Sequence, residues 1–220
     1  MDYGQLSPNT GINAVICRCL DLICGEDRRK FIKKFGEQSR YENQAMGTFW
    51  ELLLGAYLAA NGRRMRYELP IGPELPDWSI LNEALEISGI VEVADFHADI
   101  RTESEMERQL QTRGTAYVWA PPNDNRLYHC IWRKASSYKA LVQELNIPYV
   151  ISVHSGFRAA IDAEELDTCL FDDVTGLFSQ YPDVSGIMLF EDTSSGFHFR
   201  YTQNPYAPRA IELPSGVFLD

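Results

Sequence analysis

Apolar and polar positions along this chain follow two periods, one typical of helices and one typical of strands. Helical spacing is found over residues 10–24, 41–60, 127–145 and 158–170. Strand-like alternation or short apolar runs are found near residues 64–70, 77–81, 90–96, 116–120 and 148–153, and a hairpin is predicted at residues 186–192 and 197–202. This order of elements predicts an α/β protein with a central mixed β-sheet flanked by helices.

One stretch, residues 49–96, combines this pattern with candidate chemistry. It begins with the apolar helix FWELLLGAYLAANG, whose single acidic residue is Glu51. A strand-like segment and a Pro/Gly loop follow, and the loop ends in a Pro-Asp pair that contains Asp77. Glu92 lies 15 positions further on, inside the apolar run IVEVADF. A carboxylate on such a strand is costly to bury without a partner, and the partner can be a metal ion or a buried arginine.

The helix acid, the PD dipeptide and the strand acid, in this order and spacing, resemble the PD-(D/E)xK nuclease superfamily. The resemblance implies a restriction-endonuclease-like core. It also implies a Mg²⁺ or Mn²⁺ site held by Asp77 and Glu92, with Glu51 as a third ligand or as a partner of the ligands. It extends more loosely to RKASSYKALVQELNIPYVISV, which is similar to the helix and strand that follow the motif.

The chain departs from the family pattern at the motif lysine. The sequence EVA at residues 92–94 places Ala94 where the family usually has lysine. In this family the helix after the motif passes over the same sheet and sometimes supplies the missing group, which makes Lys134 the favoured candidate. Arg133 and Lys139 are the alternatives.

The predicted catalytic residues are therefore Glu51, Asp77, Glu92 and Lys134. Such a site requires carboxylates that hold the ion with open positions for water and a phosphate oxygen. The carboxylates of Asp77 and Glu92 have to lie within about 8 Å of each other to share one ion, because metal–oxygen bonds are only about 2.0–2.6 Å long.

The net charge limits how strongly such an enzyme would bind DNA by itself. A formal charge of −11 gives no long-range attraction to nucleic acid. We therefore expect an oligomer or a subunit of a larger complex, in which a protein partner could deliver the DNA. The densest basic cluster, residues 28–34, has two interpretations. It is a phosphate-contacting helix face or, as we favour, a solvated helix resting on Phe31, Ile32 and Phe35.

Cysteine usage and hydropathy predict a cytoplasmic protein without membrane association. The five cysteines form an odd set without the paired spacing of a zinc site, so buried thiols in a reducing compartment are expected. No apolar run reaches the roughly 18 residues that a membrane span needs. The first residues, MDYGQLSPNT, lack the basic start and apolar core of a signal peptide.

The length and the lack of a repeat or linker predict one domain over residues 1–220. The resemblance implies that this domain is PD-(D/E)xK-like, with residues 1–40 as a helical N-terminal extension. Three functions remain open. The chain is a Mg²⁺-dependent endonuclease acting on DNA, for example in a defence or restriction system. Alternatively, it is a degenerate nuclease-fold subunit that binds nucleic acid or protein without cleavage. The third interpretation is an unrelated metal site on Asp95, His97 and Asp99, which alternate along one strand face.

Overall fold

Seven strands pair in the order in which they occur along the chain. The structure is a computed structural model that describes residues 6, 10–38, 42–96, 105, 108–109, 111–113, 124–155, 161, 163–172 and 175–219. The strands are β1 (Arg64–Tyr67), β2 (Trp78–Leu81), β3 (Ile87–Phe96), β4 (Tyr149–Ser155), β5 (Gly186–Thr193), β6 (Gly196–Gln203) and β7 (Gly216–Phe218). The principal described helices are α1 (Thr10–Leu22), α2 (Gly25–Gln38), α3 (Glu42–Ala60), α4 (Asp124–Ser137), α5 (Lys139–Leu145), α6 (Ala163–Phe171) and α7 (Leu177–Gln180).

The sheet is mixed, as the sequence predicts. Strands β1, β2 and β3 are antiparallel, β3, β4 and β5 are parallel, and β5, β6 and β7 are antiparallel again. In this register Trp78 lies between Tyr67 on β1 and Val91 on β3, and Glu92 lies beside Ile151 on β4. Asp77, one residue before β2, is thereby held close to the middle of β3.

Two hydrophobic cores cover the two faces of the sheet. Helices α1, α2 and α3 pack on the face that carries Val91 and Val93. Helices α4 to α7 pack on the opposite face, which carries Ile90, Ala94 and Phe96. This division follows from the period of two along β3, and it is the alternation that the sequence predicts. Glu92 belongs by the same alternation to the α4 face.

The predicted strands and helices agree with the described elements, apart from shifts of a few residues and one interruption. The helix predicted over residues 127–145 is two helices, because Tyr138 leaves the helical conformation at φ −105° and ψ 7°. Its hydroxyl donates to the main-chain oxygen of Leu75 at 3.3 Å, and its ring packs against Tyr149. These tertiary contacts hold the side chain at the junction. The strand predicted at residues 116–120 lies outside the described residues.

The basic cluster lies on α2, and its apolar side packs on the sheet as expected. Phe31 and Phe35 are buried, and Ile32 packs against the same core. The expectation of a fully solvated basic face is wrong for two lysines. Lys30 donates to the main-chain oxygens of Tyr67 and Glu68, at 2.6 and 3.0 Å, and Lys34 contacts side chains of the candidate site described below.

All five cysteines are free thiols. Among the described helices, none combines the length and the apolar composition that a membrane crossing requires.

Candidate functional site

Glu51 owes its position to the close approach of α3 to β2. Gly55 faces the ring of Trp78 so closely that a Cβ atom built on it would lie 1.9 Å from Trp78 Cζ2. The indole of Trp78 in turn donates from Nε1 to the main-chain oxygen of Glu51 at 2.8 Å. Gly47, on the other side of Glu51, has open space around it. Gly47 and Gly55 lie four positions before and after Glu51, and only Gly55 is required for the contact with Trp78.

Asp77 and Glu92 are tied to each other through the backbone. The main-chain N–H of Asp77 donates to Glu92 Oε1 at 2.8 Å, and the N–H of Val93 donates to Asp77 Oδ2 at 2.8 Å. The carboxylate of Glu92 on β3 thus accepts from the backbone just before β2, and the carboxylate of Asp77 accepts from the backbone of β3. Glu92 is almost fully buried, with 3% of its side chain exposed, whereas Asp77 retains 21%.

Lys134 joins the two carboxylates from α4. Its Nζ atom lies 2.7 Å from Glu92 Oε2 and 3.7 Å from Asp77 Oδ2. These two oxygens can therefore be no farther apart than the sum of those distances, which is below the limit of about 8 Å for sharing one ion. Ile131 and Ala135, each one turn or less from Lys134, are buried against the sheet and fix this face of the helix.

The end of α4 that carries Lys134 has a further support. The helix ends at Ser137, three residues after Lys134. The hydroxyl of Tyr149, a fully buried residue of β4, donates to the main-chain oxygen of Lys134 at 2.8 Å. The sheet therefore holds both the Glu92 carboxylate and the backbone of the lysine that contacts it.

Burial and neighbouring charges shift the pKa values of Asp77 and Lys134. Burial raises the pKa of Asp77 to about 6, and the neighbouring Glu92 carboxylate adds to the effect. Burial acts to lower the pKa of Lys134, but the negative charges of Asp77 and Glu92 outweigh it and hold the pKa above its ordinary value. Lys134 is therefore an ammonium at neutral pH, and it cannot serve as a base.

Glu51 belongs to a second cluster, which also contains a lysine. Lys34 of α2 lies 2.9 Å from Glu51 Oε2 and 3.2 Å from Glu68 Oε1, and it also contacts the Tyr67 hydroxyl. That hydroxyl donates to Glu51. Burial raises the pKa of Glu51, and the charge of Asp77 raises it further. The two clusters are thus close enough for their carboxylates to repel each other.

Sequence patterns did not identify Lys34 as a site residue. Its contact with Glu51 joins residues 17 positions apart across two helices, and no local spacing indicates it. The available signal was the i, i+4 pair Lys30 and Lys34 on one edge of the apolar face of α2, which favours two lysines pointing the same way.

A cavity of about 410 Å³ opens beside the Lys134 cluster. Glu92 and Ala94 of β3 line it from the sheet, and Arg133, Lys134 and Tyr138 line it from the α4 side. Glu92 and Lys134 therefore form part of the cavity wall. Any molecule on which the cluster acts can extend into this space.

The donor set fits a divalent cation only as a pair of carboxylates. Among the described residues, no three His, Cys, Asp or Glu side chains converge as a metal site built from protein ligands alone would need. Asp77 and Glu92 are adjacent, and Mg²⁺ commonly takes one or two carboxylates and completes its shell with water and phosphate. Glu51 is engaged by Lys34 and Tyr67 instead. The alternative metal site is untested, because the side chain of Asp95 and residues 97–100 lie outside the described part of the chain.

The chain was compared with protein-family models, with curated protein sequences and with solved structures, and none of the three comparisons found a match. No family membership is shown, so function has to be inferred from the site itself.

Proposed function

We propose that this protein is a Mg²⁺-dependent endonuclease that hydrolyses phosphodiester bonds of DNA. The observation that carries the proposal is the position of the Lys134 ammonium, 2.7 Å from Glu92 and 3.7 Å from Asp77. Two carboxylates and a lysine are the groups that the PD-(D/E)xK resemblance implies, and here the lysine comes from α4 instead of position 94. The element order also supports a restriction-endonuclease-like core: helix α3, three antiparallel strands, helix α4 and the parallel strand β4.

Asp77 and Glu92 are the residues that would hold the ion. When bound, Mg²⁺ would lower the pKa of a water molecule and polarise the phosphodiester. Lys134, kept as an ammonium by its neighbours, would donate hydrogen bonds to the attacking water or to a phosphate oxygen and so stabilise the added negative charge. The water oxygen forms a bond to phosphorus as the ester P–O bond breaks. The water loses a proton to solvent and the leaving oxygen gains one.

Glu51 has a positioning role in this proposal. Its carboxylate is held by Lys34 and Tyr67. The negative charge of Glu51, like the larger effects of Asp77 and Glu92, raises the pKa of Lys134. Glu51 would therefore contribute to the field around Lys134 without contacting the phosphate. The net charge of −11 supports a second part of the proposal, in which a protein partner in a larger assembly delivers the DNA.

One observation favours the alternative of a nuclease-fold subunit that binds without cleavage. The hydrogen bond from Lys134 occupies Glu92 Oε2, and a bound ion has to share or displace it. In a non-cleaving protein the ammonium would permanently neutralise the buried Glu92.

Cleavage assays with single- and double-stranded DNA, in Mg²⁺ and in Mn²⁺, separate the two proposals. The chain alone and the assembly that co-purifies with it from its source cells should both be tested. Glu92→Gln should lower kcat by about a thousandfold or more, because it removes a ligand whose electrostatic contribution is several kcal/mol. Asp27→Asn is the matched control, since Asp27 is equally buried but pairs with Arg66. If neither preparation cleaves DNA faster than its Glu92→Gln variant, the enzyme proposal fails and the non-cleaving one replaces it.

A further inference from the structure

The cavity beside Lys134 is lined in part by Ala94, which stands where the motif lysine is expected. Glu92 and Ala94 lie on the same face of β3, two positions apart, and both line the cavity. Any long side chain at position 94 would project into this space. The alanine therefore leaves a cavity open beside the carboxylates, while the ammonium enters from α4.

The lining of the cavity combines the cation of Arg133, the ring of Tyr138 and the small apolar Ala94 with the carboxylates of Glu74 and Glu92. Arg133 is exposed on its wall, and no acceptor for its guanidinium is found among the described residues. Lys134, in contrast, is already paired with Glu92. The exposed guanidinium of Arg133 has the planar fork that suits a phosphate. Tyr138 adds an aromatic ring, and Ala94 adds a small apolar surface.

Size restricts the ligand. A volume of about 410 Å³ lies within the roughly 300–1,000 Å³ of pockets that hold one small organic molecule, which is the size class of a single nucleotide. A base inside a duplex is stacked and paired, so it must leave the helix before it can enter such a pocket. An unpaired base enters at much lower cost, and an aromatic side chain provides a surface on which it can stack.

We propose that this cavity is a subsite for one unpaired nucleotide next to the phosphodiester bond that is cut, so that the substrate is single-stranded or locally unpaired DNA. The inference rests on the proposed nuclease function. Arg133 binds the phosphate of that nucleotide, and Tyr138 packs against its base. Stacking and one guanidinium provide local contacts at the site, and they complement delivery by a partner because the net charge of −11 gives no general attraction to DNA.

Binding measured without cleavage tests the proposal. Fluorescence anisotropy with Ca²⁺ in place of Mg²⁺, and in parallel with EDTA, should compare a 12-nucleotide single strand with the blunt duplex of the same sequence. The single strand should bind at least tenfold more tightly. Arg133→Ala should weaken its binding by about tenfold and reduce the slope of log K against log salt by about 0.7, as expected for the loss of one phosphate contact on a single strand.

Two further variants separate the cavity from general charge effects. Ala94→Leu should fill the cavity and weaken single-strand binding without changing the salt slope. Lys139→Ala removes an exposed cation from the adjacent helix and should leave both quantities unchanged. Equal or tighter binding of the duplex, no binding of either form, or equal effects of Arg133→Ala and Lys139→Ala would each overturn the subsite.

The outcomes also distinguish the subsite from the enzyme proposal. Single-strand binding with the expected dependence on Arg133 and Ala94, but no cleavage in Mg²⁺ or Mn²⁺, leaves the subsite standing while the nuclease proposal fails. Cleavage of the duplex in preference to the single strand would support the nuclease proposal and overturn the subsite.

Discussion

Two lysines approach the start of β2 from opposite faces of the sheet, and they differ in what surrounds them. Lys34, from α2, contacts Glu51, the Tyr67 hydroxyl and Glu68. Lys134, from α4, makes one hydrogen bond, to Glu92, and a longer ion pair to Asp77. An ammonium has three donors, so Lys34 is saturated by the protein and Lys134 is not.

The difference lies in the space next to each lysine and not in the residue types. Both clusters contain a lysine and two carboxylates, and both are largely buried. In the Lys34 cluster the Tyr67 hydroxyl accepts a hydrogen bond from the lysine and donates one to Glu51, whereas Lys134 and Glu92 form part of the wall of the 410 Å³ cavity. Similar chemistry therefore produces a lysine with three protein partners on one face and, on the other, a candidate reactive centre beside a cavity.

The tight packing of α3 gives the largest expected effect. Gly55→Ala should lower the free energy of unfolding by about 3 kcal/mol or more, because its Cβ would lie 1.9 Å from Cζ2 of the fully buried Trp78. Gly47→Ala is the matched control, since nothing lies within 4 Å of its Cβ, and it should stabilise the helix by about 0.5–1 kcal/mol. Urea unfolding measures both. Equal effects would show that the contact between α3 and β2 is not tight.

Removal of each lysine in turn should sharpen the comparison. Lys34→Ala and Lys134→Ala should each destabilise the metal-free protein by about 2–3 kcal/mol, because a largely buried carboxylate loses its cation. Added Mg²⁺ should restore most of the loss in Lys134→Ala, where Asp77 and Glu92 can bind it, and little in Lys34→Ala. Thermal unfolding measures the difference when the metal-free variants are compared with the same variants at Mg²⁺ concentrations raised in 10-fold steps. Equal restoration in the two variants would contradict the proposal that Asp77 and Glu92 hold the ion.

Asp77 should make the protein less stable at neutral pH in the absence of metal. Its pKa rises from the ordinary 3.8 to about 6 on folding, so the folded state binds the proton more tightly than the unfolded state. The stability that this proton contributes is fully present below about pH 4 and is lost as the pH rises through about 6. Asp77→Asn carries no charge and should be more stable than the wild type by about 1–2 kcal/mol at pH 7.5, with almost no gain at pH 4.

Chemical denaturation at the two pH values measures this gain. Mg²⁺ should stabilise the wild type but not Asp77→Asn. A variant that is less stable than the wild type at pH 7.5 would show that the Lys134 ammonium more than compensates for the burial of Asp77.

Sequence periodicity predicted most of the sheet and the face of β3 that carries Glu92. The choice of Lys134 over Arg133 and Lys139 came from the resemblance, and Lys134 lies 2.7 Å from Glu92 in the structure. The alternation along β3 is a local pattern, and burial of the apolar positions fixes the direction of the charged residues between them. The interruption at Tyr138 was not predicted, since it depends on contacts with Leu75 and Tyr149 that are distant in sequence.

The Lys34 cluster depends on contacts between distant elements. Lys34 meets Glu51 only because Gly55 lets α3 approach Trp78 and because Phe31 and Phe35 seat α2 nearby. The basic cluster therefore looks like solvated helix surface in the sequence. The cavity was also beyond prediction, because the volume beside Ala94 depends on how far α4 lies from β3 and not on the spacing of either element.

The smallest expected effect concerns Tyr149, which we expect to position Lys134 through the carbonyl of that residue. Tyr149→Phe should cost about 1 kcal/mol of stability, because one hydrogen bond is lost in the core. Tyr201→Phe is the matched control. The Tyr201 hydroxyl donates to the main-chain oxygen of Ile211 at the same distance, 2.8 Å, and its loss should cost about as much. The two variants should therefore lose similar stability, and only Tyr149→Phe should change the position of the Lys134 ammonium.

A double-mutant comparison separates positioning from stability. Tyr149→Phe should lower kcat several-fold in the wild-type background and have no effect in Lys134→Ala, whereas Tyr201→Phe should leave kcat unchanged in both. The pKa of Lys134, followed by NMR of its labelled side chain, should fall toward its ordinary value in Tyr149→Phe alone, because the ammonium moves away from Asp77 and Glu92. This second measurement does not depend on cleavage. An unchanged pKa would mean that Ile131 and Ala135 are sufficient to hold α4, and that the Tyr149 hydroxyl only satisfies a buried carbonyl.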